Sequence, residues 1–322
     1  MILILLEKYT VSRIWLEVAD FPDIFVGTCG WSYQPDWVNI FYPDFLPTSA
    51  YLEFYSSIFN AVEIDSSFYY IPKKQTVENW AQKTPDYFHF SSKVNQAITH
   101  KAKLNIQQCR KELELYLDNF APLEGNHKHI AHLIQLPPSF VFPKHKENLE
   151  SFLSFWAEWR ETKGKELLGP QFTHQSWQGV VEFRDSSWLT PDVMEVLTLY
   201  KFGYCAVIEP QLPPDFITPC ENLFYLRFHG FGKNPWWNYQ FSEQELVHWA
   251  NQINSYRKDN PNTRVSVFFN NHFSGYAVKN ALDILPKLNL KAANDINVIK
   301  QIFHKKYRKK SKSKVKLDKW IQ

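Results

Sequence analysis

The chain has 322 residues, 44% of them hydrophobic and 17% aromatic, with 12 Trp, which is enough apolar surface for one large domain or two smaller ones. Its formal charge of +3 conceals an asymmetry: Lys305 to Lys319 holds nine Lys/Arg against Asp318, and without that segment 27 bases face 32 acids. No stretch approaches the roughly 18 uncharged apolar residues of a membrane span, the opening MILILLEK is too short for a signal-peptide core, and the four cysteines (Cys29, Cys109, Cys205, Cys220) have neither CxxC nor metal-finger spacing. A reduced cytoplasmic protein with no membrane contact is the simplest expectation.

Residues 1–23 form an N-terminal extension. Apolar runs of strand length then recur at 24–29, 61–66, 88–94, 129–136, 179–184, 204–209, 223–229 and 265–271. Several are apolar on both faces, as a sheet covered by helices requires. Helical stretches lie between most of them. SAYLEFYSSIF follows the first strand, and TVENWAQK follows the second with Thr76 as the expected N-cap. ENLESFLSFWAEWR precedes the fifth. TPDVMEVLTLY places Thr190 at a cap and Pro191 at the first helical position. SEQELVHWANQINSYRK opens on a Ser242/Glu245 capping box, and NNHFSGYAVKNALDILPKL closes the cycle. The pattern predicts an α/β fold, a (β/α)8 TIM-type barrel spanning 24–303. QLPPDFITPCENL, with three prolines, predicts an irregular connection between strands six and seven. The basic tail, 304–322, repels itself and is expected to be disordered and able to touch nucleic acid.

Three strands end in ionisable residues two apart: Glu63 and Asp65, Glu182 and Arg184, Arg227 and His229. Residues i and i+2 of a strand share a face, so these six groups would converge at the C-terminal mouth of a barrel, where such folds place their chemistry. Other strand ends add Cys29 with Trp31, Lys93, Gln135, Glu209 and the run Asn270, Asn271, His272. Glu63, Asp65, Glu182 and His229 are the candidate acid/base groups. Arg184 and Arg227 form a candidate anion clamp. Trp31, Tyr69, Lys93, Gln135, Asn270, Asn271 and His272 complete the expected binding surface. The competing reading is an internal salt-bridge network filling the mouth. Glu63, Asp65, Glu182, His229 and His272 are metal-ligand types, but the two arginines oppose a divalent cation, so no metal and no cofactor are assigned. His127, His129 and His132, on an alternating stretch, read as a surface or packing feature. Aromatic residues crowd the same loops in GWSYQPDW, SFYYIP and NPWWNY, as a sugar or nucleobase site would require. Phosphate-loop and dinucleotide motifs are absent.

VGTCGWSYQPDW, FYP, VEIDSSFYYIP, ITH, LIQLPPSF, VEFRDSSW, YLRFHG and FFNNHFSGYAVKNA occur in that order. Together, from about Phe25 to Leu285, they resemble the YecE-like family, domain of unknown function 72. The resemblance implies a TIM barrel and supplies no reaction. It places the family's signature residues on Trp31, Glu63, Lys93, Gln135, Glu182, Arg184, Arg227, His229, Asn270 and Asn271. Cys29, Asp65 and Asp185 stand where the family commonly has Ser, Asn and His.

The leading expectation is an enzyme, a hydrolase or an isomerase/lyase, acting on a small anionic substrate that is phosphorylated or nucleotide-like. Glu63 or Glu182 would be its base and His229 its acid. Nucleic-acid binding or endonuclease-like processing, aided by the tail, is one alternative. A non-catalytic small-molecule sensor using the same pocket is another.

Overall fold

Each predicted run forms a strand: β1 (Ile24–Thr28), β2 (Ala61–Ile64), β3 (His89–Lys93), β4 (His129–Gln135), β5 (Gly179–Glu182), β6 (Gly203–Ile208), β7 (Leu223–Phe228) and β8 (Arg264–Phe269). The structure, a computed structural model, describes residues 24–220 and 222–317, with side chains of the last helix as far as Tyr307. All neighbouring strands pair in parallel, in the order β1-β8-β7-β6-β5-β4-β3-β2. The barrel is nearly closed.

Side chains complete the seam between β1 and β2. Asn60 accepts from Val26 N at 2.9 Å and donates to Ile24 O at 2.8 Å, standing in for a missing ladder. At the top, Gly30 N donates to Glu63 O at 2.7 Å. The seam needs glycine at position 27, because a Cβ there would sit 2.0 Å from Ala61 O, a backbone atom that cannot swing aside. Gly27→Ala is expected to lower stability by about 3 kcal/mol, the upper part of the range for overpacking. Urea unfolding measures this; an unchanged midpoint would mean the seam can part freely.

Among the described residues, eight α-helices of six or more residues surround the strands: α1 (Tyr51–Ser56), α2 (Lys74–Lys83), α3 (Ile106–Gly125), α4 (Lys146–Trp159), α5 (Pro191–Leu199), α6 (Glu243–Asp259), α7 (Tyr276–Ile284) and α8 (Ile296–Leu317), besides shorter helical turns. Thr190 caps α5 by accepting from Val193 N, with Pro191 at the first position, and Ser242 and Glu245 form the expected capping box on α6. Thr76 is not a cap. Helix α2 starts at Lys74, and Thr76 N already donates to Lys73 O at 2.8 Å within the first turn. Among the described residues, the connection from β6 to β7 carries no helix, consistent with its prolines.

Two cores result from strand alternation. Phe25, Leu133, Val180, Tyr225 and Phe268 fill the barrel interior. A larger layer, including Val26, Ile64, Phe90, Ile134 and Phe228, packs outward against the helices. Helix α8 runs through the expected domain limit at 303 and into the segment expected to be disordered. Phe303 is buried, with its ring centroid 5.2 Å from that of Phe54, and Lys306 Nζ lies 2.7 Å from Glu53 Oε1. These contacts seat the helix, and lysine and arginine continue it readily. The expected extension 1–23 and residues 318–322 lie outside the described residues. Among the described residues, no helix is long and apolar enough to cross a membrane.

Candidate functional site

The alternation that builds the interior also carries charge upward. On β7, Tyr225, Arg227 and then His229 face inward in succession. Three carboxylates and two guanidiniums alternate across the barrel in the sequence Glu63, Arg227, Glu182, Arg184, Glu209. Arg227 Nη2 donates to Glu63 Oε1 at 2.8 Å and Nη1 to Glu182 Oε2 at 2.5 Å. Arg184 Nε donates to Glu182 Oε1 at 2.5 Å and Nη1 to Glu209 Oε2 at 2.7 Å. Tyr225 OH supports the other Glu63 oxygen at 2.8 Å. Glu63, Glu182 and Arg227 are buried. Such a network holds only because each charge has partners; burial raises the Glu182 carboxyl, and Arg184 and then Arg227 more than offset this, holding it well below the usual carboxylate range.

Five of the six converging groups therefore meet as the spacing predicts. Asp65 is diverted: it lies beyond β2, entering a short helical turn, and accepts from Tyr33 OH at 2.5 Å. Arg227 does not serve as half of an anion clamp, because both terminal nitrogens are spent on Glu63 and Glu182, with Cys29 Sγ at 3.4 Å. Burial pushes the Cys29 thiol up against the opposing pull of Arg227, which favours the thiol over the more nucleophilic thiolate.

His229 does not fit the role of acid. Its Nε2 faces Arg184 Nη2 at 3.1 Å and Arg227 Nη1 at 3.4 Å, both obligate donors. Burial, then Arg184 and Arg227, push its proton affinity well below the ordinary imidazole value. The ring is neutral, with its proton on Nδ1. Asn270 Nδ2 lies 2.9 Å from Nδ1, and a proton there requires that amide to be turned so that its oxygen accepts.

Above this closed layer the site is more open. Lys93 is half-buried, with Nζ 4.2 Å from the centroid of the Phe68 ring, and no carboxylate among the described residues lies within ion-pair distance of it. Burial first, then Arg227, lower its pKa to about 8. Gln135, Arg184, Asn270, His272 and Trp31 are also partly exposed, and Tyr69 is exposed. Trp236, from the loop after β7, stands 5.6 Å from the Arg184 guanidinium and 5.4 Å from the His229 ring centre. Tyr33 stacks on His272 at 4.4 Å, forming a second part of the rim with Asp65. Asn271 lies elsewhere: buried, it donates to Tyr239 O at 2.8 Å and Asn280 Oδ1 at 2.9 Å and holds the loop to α7.

Two participants, Tyr225 and His100, fell outside the residues singled out, and a third, Glu209, was named at a strand end without a role. Glu209 directly follows β6 and anchors Arg184; its Oε1 is buried without a hydrogen-bond partner among the described residues, and burial raises its pKa. Its place at a strand end was a sufficient signal. Tyr225 extends the inward alternation of Arg227 and His229 by one step. His100, from the ITH motif, lies in the short helical turn Ala97–Lys101 and is partly buried, and burial followed by Lys93 lowers its pKa to about 4; its position away from a strand end gave no comparable signal.

The profile described as "Protein of unknown function DUF72" matches residues 25–301. The chain is 27% identical over 291 residues to UPF0759 protein YunF of Bacillus subtilis (strain 168), covering 83% of this chain and 95% of that protein. It is 31% identical over 150 residues to UPF0759 protein YecE of Escherichia coli (strain K12), covering 46% of this chain and 50% of that protein. The crystal structure of a DUF72 family protein from Thermotoga maritima MSB8 superposes with a TM-score of 0.67 at 27% identity, covering 83% of this chain and 100% of the other. One from Enterococcus faecalis V583 gives 0.67 at 22%, covering 85% and 100%. With its barrel and its profile match in agreement, the chain belongs to the DUF72 family.

Proposed function

We propose that the C-terminal mouth binds a small anionic substrate, phosphorylated or nucleotide-like, and that the chain is an enzyme acting on it by proton transfer. The observation that carries this reading is Lys93: a half-buried ammonium beside the network of three carboxylates and two guanidiniums, with no carboxylate among the described residues within ion-pair distance and an aromatic ring beneath it. Burying its ammonium costs free energy, and an anion bound at the mouth would offset that cost. Arg184, the more exposed of the two arginines, is the second contact, with Trp236 beside it and Phe68 beneath Lys93 as apolar walls. Proton exchange falls to Lys93 and Glu209, whose pKa values are displaced toward neutrality from opposite sides. Glu63, Glu182 and Arg227 are the rigid floor.

The test is a panel of phosphate monoesters and nucleotides against neutral isosteres, measured by calorimetry between pH 6 and 10. Lys93 is cationic below about 8. Anion affinity should therefore be full below that pH and fall as pH rises through it, with the bound anion shifting the loss upward. Preferential binding of neutral isosteres, or a flat profile, would overturn the reading.

A nucleic-acid reading draws on one observation, the continuation of the basic segment as helix to Leu317. Its test is truncation after Tyr307, which spares the Phe303 and Lys306 contacts. Weakened binding with a shallower salt dependence would favour it.

A further inference from the structure

A second polar cluster lies at the opposite end of β4. His129 opens that strand and Gln135 closes it, about 20 Å apart at 3.3 Å per residue. On a regular strand residues 129 and 132 would face opposite sides. Here Phe90 pairs with His129 and Ser92 with His132, so β4 advances three residues while β3 advances two. This bulge brings both imidazoles onto the side facing α3.

There they converge on one atom. Glu124, near the end of α3, places Oε1 2.8 Å from His129 Nδ1 and 3.1 Å from His132 Nε2. The three ligand atoms lie within 4.8 Å of one another, and all three residues are buried. Donors around a tetrahedral zinc, with bonds of about 2.0–2.1 Å, stand about 3.3 Å apart, so slight expansion of the cluster admits the ion. The remaining polar atoms already have partners suited to an outer shell. His129 Nε2 and His132 Nδ1 lie 2.9 and 3.0 Å from Ser92 Oγ, and Ser92 meets Tyr116 OH at 2.7 Å. Glu124 Oε2 accepts from Trp177 N at 3.1 Å. Metal-binding imidazoles and carboxylates are normally oriented this way.

We propose that Glu124, His129 and His132 bind one Zn²⁺ ion that clamps the end of α3 to the start of β4. Two nitrogens and one carboxylate oxygen suit this ion and leave a fourth coordination position for a water, in an enclosed place at the opposite end of β4 from the barrel mouth.

The full chain is stripped with chelator and then titrated with Zn²⁺. One ion per chain by elemental analysis, with a raised melting temperature, is expected. Glu124→Gln and His132→Gln should each abolish stoichiometric binding, Ser92→Ala should weaken it about tenfold, and His127→Ala, at an exposed neighbour, should leave it unchanged. If the core variants do not fold, Co²⁺ bound to the unaltered chain gives an independent reading. A visible spectrum of nitrogen and oxygen ligands supports the site, whereas a thiolate charge-transfer band places the ion elsewhere and overturns it. Failure to retain Zn²⁺, or full retention by folded Glu124→Gln, also overturns it and leaves a cluster bridged by a proton alone.

Discussion

Arg227→Ala is expected to lower the unfolding free energy by about 3–5 kcal/mol, the loss typical of breaking a buried ion pair from one side. Arg227 donates to both Glu63 and Glu182, whose side chains have no solvent exposure. Removing it leaves two carboxylates short of a partner in a medium that solvates them poorly. Arg227→Lys should recover only part of the loss, because a single ammonium cannot serve both carboxylates with a planar fork. Chemical unfolding at neutral pH measures the effect. A loss under about 1 kcal/mol, the usual yield of an exposed pair, would mean that water reaches the floor of the site. The pH dependence gives a second readout. Glu182 is held below its unfolded value, so its contribution is present above the unfolded carboxylate pKa and is lost as pH falls through the folded one. Arg227→Ala should weaken that acid-side dependence.

Lys93→Met is expected to do the reverse: little harm to stability and a large loss of ligand. The ammonium has no ion-pair partner among the described residues, and its pKa of about 8 reflects burial first and the repulsion of Arg227 second. In the folded state the proton is held less tightly than in the unfolded chain, so the unaltered protein gains stability as pH rises from about 8 toward the unfolded value. The methionine variant should lose that gain and be slightly more stable at neutral pH. Anion affinity should fall by about 10- to 100-fold, corresponding to one charge-assisted hydrogen bond of about 1.5–3 kcal/mol, and the decline of binding near pH 8 should vanish. Unchanged affinity in a folded Lys93→Met protein would place the anion elsewhere and return the whole charged cluster to a structural role.

These two residues separate the readings that the sequence left side by side. Glu63, Glu182, Arg184, Arg227 and His229 suggest either an active site or a salt-bridge filling. The structure divides them by depth. Arg227 and its two carboxylates are closed on one another, whereas Lys93 and the edge of Arg184 meet the surface. The roles assigned by residue type alone accordingly move. His229 is a neutral acceptor between two guanidiniums, Asp65 belongs to Tyr33, and Asn271 belongs to the α7 loop.

What could be read from the sequence was local. Apolar runs and their alternation located eight strands, and the pairs 63/65, 182/184 and 227/229 marked where charge would gather. Thr190–Pro191 and Ser242–Glu245 marked helix starts, because caps depend on residues within one turn. Tertiary structure decided the partners. Arg227 reaches Glu63 across 164 positions and Glu182 across 45, and which carboxylate it meets depends on strand order and register around the ring. The Glu124, His129 and His132 cluster depends on a bulge set by pairing with β3, which the alternation of β4 by itself would deny. Backbone stereochemistry fixes the face to which a side chain points within a few residues. Which groups share that face, and how far water reaches them, depends on long-range packing that brings distant segments together.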